Sequence, residues 1–155
     1  MSRAFTRESD DDPGTLPERP VSAHPNLVTP GGLAALEAQV RALEFERQAA
    51  RSGGDSTQRA RIERDLRYFT QRLATARVVA PAPTVPDRVR FGVRVTLRHE
   101  SGAEQSFRLV GEDEADAARG LLSWVSPLAQ ALLGHETGEA VPFHSGELEI
   151  VRLEP

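Results

Sequence analysis

Apolar residues recur along this chain with two different periods. Leu33, Leu36, Val40 and Leu43 follow spacings of three, four and three, and beyond a Gly53-Gly54 break Ile62, Leu66, Phe69, Leu73 and Ala76 continue at four, three, four and three. This is the a/d pattern of a narrow coiled-coil seam rather than the broad stripe of a globular helix. Thr29-Pro30 predicts the first helix start, because threonine caps well and proline at the first helical position has no N–H to leave unpaired. Asp55 or Ser56 is expected to cap the second helix. Helices of this length joined by a short turn must lie antiparallel, with Leu43 near Ile62 and Leu66, and Leu33 near Leu73 and Ala76. At 1.5 Å per residue the hairpin projects roughly 30 Å.

From residue 88 the period changes to two. "RVRFGVRVTLRH" alternates, with Val89, Phe91, Val93, Val95 and Leu97 on one face and Arg88, Arg90, Arg94, Thr96 and Arg98 on the other, which predicts a half-buried strand. Gly92 in its middle suggests a bulge or a close backbone approach. "EQSFRLVG" predicts a second strand across the "HESGAE" turn, "GLLSWVS" a third, and "GELEIVRL" a last one with Leu148 and Ile150 opposite Glu147 and Glu149. "SPLAQALLG" reads as a short helix, with Ser126 as N-cap, Pro127 at the first position and Gly134 past the end. The expected fold class is α+β: an antiparallel two-helix coiled coil, residues 29–79, followed by a small antiparallel sheet with one short helix, residues 87–155.

Two further segments complete the chain. Residues 1–28 hold Pro13, Pro17, Pro20, Pro25 and an Asp10-Asp11-Asp12 triplet with little apolar periodicity, and are read as a disordered or loosely docked tail. Residues 80–86, "APAPTVP", are read as an extended, semi-rigid linker.

Composition narrows the chemistry. The chain has no cysteine, which excludes disulfides, thiolate catalysis and cysteine zinc sites. Net charge is −4, distributed as about −2 over residues 1–28, +3 over 29–77 and −5 over 78–155, and this argues against non-specific nucleic-acid binding. With no long apolar run and an acidic N-terminus, neither a membrane span nor a targeting signal is expected, so a cytoplasmic location is anticipated. His24, His99, His135 and His144 are read as sitting in tail or turn contexts with no Glu or His partner at i+3 or i+4, which argues against a metal site. "GEDEAD", residues 111–116, is read as a solvated acidic loop, and Trp124 as a core or rim residue. The hairpin arginines are read as a solvated face with i,i+4 partners such as Arg61-Asp65 and Glu63-Arg67.

"TPGGLAALEAQVRALE", "RYFTQRLATARVV", "RVRFGVRVTL", "FRLVGEDEAD", "GLLSWVSPLAQALLG" and "LEIVRL" together resemble, in order and spacing, the bacterial transcript-cleavage factors GreA and GreB. The resemblance covers residues 29–153, and its most specific parts look like the family's "YRIVGxDEAD" and "SPxARALLG". It implies an FKBP-like C-terminal domain that docks on bacterial RNA polymerase at the rim of the secondary channel, here through Val125, Ser126, Pro127 and Leu128. The coiled coil would enter the channel, bringing indirect contact with nucleic acid in the elongation complex, and the protein would act as a monomer. It implies no cofactor of its own beyond magnesium at the polymerase active site, which two acids at the hairpin tip help to hold in a "GDxxEN" stretch. This chain reads "GDSTQR" there, so Asp55 matches the first acid and Gln58 replaces the second. An amide carries no charge for a hard divalent cation. Relative to the family's usual arms each helix is also about eight to ten residues short, roughly 12–15 Å of reach.

The expected function is therefore a Gre-like elongation factor or regulator that binds polymerase without efficient RNA cleavage, an accessory factor rather than an enzyme. The alternatives are a weakly cleaving factor using Asp55 with a carboxylate such as Glu63, and an interaction module for another partner. A prolyl isomerase is disfavoured by the few aromatic residues of the sheet domain.

Overall fold

Thr29 and Asp55 start the two long helices. In the computed structural model, which describes residues 16–53 and 55–155, Thr29 is extended and its hydroxyl accepts the Gly32 N–H at 2.9 Å, opening α1 over Pro30–Ala50. Asp55 is likewise extended, and its Oδ1 accepts the Gln58 N–H at 2.7 Å, opening α2 over Ser56–Thr75. Leu36, Leu43, Ile62 and Leu66 are buried in the seam, while Leu33, Val40, Phe69, Leu73 and Ala76 are only half-buried. Toward the base the fully buried residue of α2 is not apolar but Arg72, 2% exposed.

The two arms are tied together where they leave the helices. β1 (Leu27–Val28), just before α1, pairs in parallel with β2 (Arg77–Val78), just after α2. Arg77 N–H donates to Asn26 O at 2.8 Å and Val79 N–H to Val28 O at 2.9 Å.

The sheet domain comprises β3 (Arg94–His99), β4 (Glu104–Val110), β5 (Leu121–Ser123), α3 (Pro127–Leu132), β6 (Ala140–Phe143) and β7 (Gly146–Glu154). Its strand order is β5-β4-β3-β7-β6. The sheet is mixed rather than purely antiparallel, because β5 runs parallel to β4. The chain between them, residues 111–120, crosses back along the sheet edge instead of making a hairpin.

The alternating run 88–99 is not a single strand. Gly92 has φ +86°, a left-handed conformation open to glycine, and there the chain turns. Only Arg94 onward joins the central ladder, while Val89 N–H donates to His135 O and Gly134 N–H to Val89 O, pairing that stretch with the loop after α3. In β7 the pairing with β3 slips between Thr96 and Leu97, where Arg152 and Ile150 are the partners and Val151 is left over. This bulge moves the buried parity from Leu148 and Ile150 to Leu153. β6 was not announced by alternation, since Val141 alone is buried and Pro142 occupies an outer strand, where its missing N–H is tolerated. Val95, Leu109, Ile150, Ala129 and Leu132 are fully buried, so α3 closes one face of the sheet.

Candidate functional site

Three places carry the residues to which function was attached: the hairpin tip, its base, and the loop leading into α3. At the tip Asp55 and Gln58 are both exposed, and the described contact between them is Asp55 Oδ1 accepting the Gln58 backbone N–H. Of the two expected caps, Asp55 holds that place. The charged residues within four positions of Asp55 are Arg51 and Arg59. Arg47, Arg51 and Arg59 line a small cavity of about 50 Å³ with Ala50, Ile62 and Glu63. Glu63, the carboxylate considered as a partner for Asp55, thus faces arginines two turns down α2.

At the base the acidic loop is not a solvated one. Asp113 accepts from Arg72 Nε and, at 2.6 Å, from the Tyr68 hydroxyl, and Glu112 lies 3.5 Å from the same guanidinium. Glu114 accepts the Thr29 hydroxyl at 2.6 Å while that hydroxyl caps α1, which places a carboxylate at the positive end of the helix dipole. A Cβ at Gly32 would lie 2.5 Å from Glu114 Oε2, so glycine in the first turn lets the carboxylate close. Burial, and after it the hydrogen bond and charge of Asp113, push the Tyr68 phenol up to about 12. Three consecutive acids thus hold the hairpin against the sheet domain. Sequence reasoning missed this joint; the available signal was Arg72, which stands one position before the seam residue Leu73.

The expected docking residues form the cap of α3. Ser126 Oγ accepts the Ala129 N–H at 3.3 Å, Pro127 is exposed, and Val125 and Leu128 are half-buried. Leu128 also borders a groove of about 510 Å³ between the β3–β4 and β6–β7 turns, whose apolar floor includes Leu97, Phe107, Phe143 and Leu148. Trp124, just before the cap, is half-buried, with the His24 ring edge-on at 5.9 Å and Phe91 at 6.5 Å.

The remaining candidates resolve into local structure. His135 does have an acid four residues on, Glu139, at 2.8 Å, contrary to the reading of the histidines as lone turn residues. The Glu136 backbone N–H and then His135 hold the Glu139 carboxyl below its usual range. Among the described residues no group of three or more histidine or acidic side chains could hold a metal ion. Neither expected i,i+4 pair on α2 forms: Asp65 meets Arg64 and Arg19, and Arg67 meets Glu18. No helix among the described residues is long and apolar enough to cross a membrane.

Residues 83–154 match the family model described as "Transcription elongation factor, GreA/GreB, C-term". The chain is 35% identical over 135 residues to transcription elongation factor GreB of Pseudomonas aeruginosa, with 76% of this chain and 80% of that protein covered. It is 33% identical over 149 residues to transcription elongation factor GreA of Hyphomonas neptunium, with 81% and 95% covered. The chain belongs to the GreA/GreB family. A GreB of Neisseria meningitidis serogroup B is 40% identical over 98 residues, and there the chain spans only 60% of its relative's length. The 149 positions aligned with the Hyphomonas GreA take up 81% of the 155-residue chain, about 126 residues, so about 23 positions of that relative have no counterpart in this GreA/GreB-family chain.

Proposed function

We propose that this GreA/GreB-family protein docks on bacterial RNA polymerase at the secondary channel through Val125, Ser126, Pro127 and Leu128, and modulates transcription without efficiently stimulating RNA cleavage. The observation that carries the reading is at the tip. The one acid there, Asp55, caps α2 by accepting the Gln58 N–H, and Gln58 puts an amide where the resemblance calls for a second carboxylate. Magnesium would meet one carboxylate among arginines, a poor donor set for a hard cation.

Length supports the same reading. α1 has 21 residues and α2 has 20, about 30 Å of helix, and the about 23 positions of the Hyphomonas GreA without a counterpart here are a number that suits two shortened arms. The protein would then act by occupying the channel, altering nucleotide entry or competing with longer family members. Pro127 stands exposed at the α3 cap, and the groove bordered by Leu128 offers apolar surface beside it.

The test is recovery of polymerase by the tagged full-length protein. Polymerase is expected as the main protein recovered, weakened by Pro127→Ala and lost with Ser126→Arg. Recovery that both substitutions leave intact, or recovery of a different main partner, overturns the docking assignment.

A further inference from the structure

The segment ahead of α1 touches both halves of the molecule. Near the joint, Asn26 is 5% exposed and its Nδ2 donates to Arg72 O at 2.6 Å, while its own carbonyl accepts the Arg77 N–H. Leu27 O packs so closely on Gly111 that a Cβ there would lie 2.5 Å from it. His24 sits edge-on to Trp124 of the sheet domain. Farther up, the Arg19 guanidinium lies 3.9 Å from the Tyr68 ring centroid and 4.9 Å from that of Phe69, and 3.5 Å from Asp65, while Glu18 pairs with Arg67.

We infer that residues 18–28 form a brace that fixes the hairpin at one angle to the sheet domain, with Glu18, Arg19, His24 and Asn26 as its positioning residues. Among the described residues, every side-chain hydrogen bond or ion pair from α1, α2 or their caps to the sheet domain runs to Glu112, Asp113 or Glu114. One loop is one attachment, and two units joined through so small a contact move relative to each other by default. The brace adds a second attachment outside that loop, from α2 through Arg19 and the β1–β2 pair to Trp124, while its Leu27 carbonyl also packs on Gly111 at the start of the loop. Pro20 and Pro25 within it, and Pro17 just before it, restrict the unfolded chain, so ordering this segment costs less entropy than its length suggests. The arrangement sets where the tip stands relative to the α3 cap, whatever partner that cap engages.

The absence of cysteine makes the test direct, because introduced cysteines are unique labelling sites. Nitroxides at Thr57→Cys on the hairpin and Ser145→Cys on the sheet domain, both exposed positions, report the tip-to-domain distance by double electron–electron resonance in the full chain. One narrow distribution is expected, and Arg19→Lys, which keeps the cation over Tyr68, is expected to preserve it. Combining Glu18→Ala, Arg19→Ala and His24→Ala, all outside the hydrophobic core, is expected to broaden it about two-fold with helical circular dichroism and the melting transition retained. An unchanged width in the triple variant overturns the inference.

Discussion

Asp55 and Asp113 are both aspartates set against α2, one at its first turn and one beside its last. Asp55 is exposed, and its described partner is a single backbone N–H. Asp113 accepts from a guanidinium 2% exposed and from a phenol, in a side chain itself only 13% exposed. The same functional group therefore does two jobs. At the tip it replaces a hydrogen bond that water would otherwise supply to a helix end. At the base it neutralises a buried charge, and removing it strands that charge. The comparison also shows why counting acids along a chain misleads: the isolated one looks like a metal ligand and the cluster looks like solvated loop, while the structure assigns capping to the first and domain attachment to the second.

The comparison breaks most visibly at the base. Asp113→Ala leaves Arg72 buried with only the more distant Glu112, and a loss of about 3–5 kcal/mol is expected in denaturant unfolding. A loss below about 1 kcal/mol would mean that the joint relaxes enough to hydrate Arg72. Asp55→Ala removes only a cap and should cost about 1 kcal/mol, read from the same unfolding curves. If the two substitutions cost the same, the distinction between the two ends fails.

A smaller effect is expected at Tyr68. Tyr68 is the only tyrosine, so its ionisation can be followed by phenolate absorbance. Burial and the Asp113 carboxylate hold it at about 12 in the folded chain, above the value of about 10 expected when unfolded. The neutral phenol is the stabilised form, so its contribution is complete below about pH 10 and is lost as pH rises toward 12. In Asp113→Asn the titration should move down toward the unfolded value. An unmoved titration would remove Asp113 as a cause.

Much of this architecture was legible from local chemistry. The caps at Thr29, Asp55 and Ser126 follow from side chains that satisfy helix ends within three residues, and the seam follows from spacing alone. What escaped was non-local. β5 is parallel because of a crossover that no strand pattern encodes, and Gly92 divides an alternating run whose alternation continues across the turn. The joint escaped for the same reason: Glu112, Asp113 and Glu114 meet Arg72, Tyr68 and Thr29 across about 40 to 85 residues of sequence, and charge patterning senses neighbours only a turn away. The tip was better served, since Asp55 and Gln58 belong to one turn and their relation is settled within it.

The proposed pairing of a tip that does not support cleavage with an α3 cap that docks on polymerase can be tested in one assay. Purified full-length protein added to backtracked elongation complexes, with magnesium present, measures both at once. Co-migration with polymerase and little shortening of the RNA 3′ end, unchanged by Asp55→Ala, are expected. Rapid magnesium-dependent cleavage that Asp55→Ala abolishes would contradict that pairing.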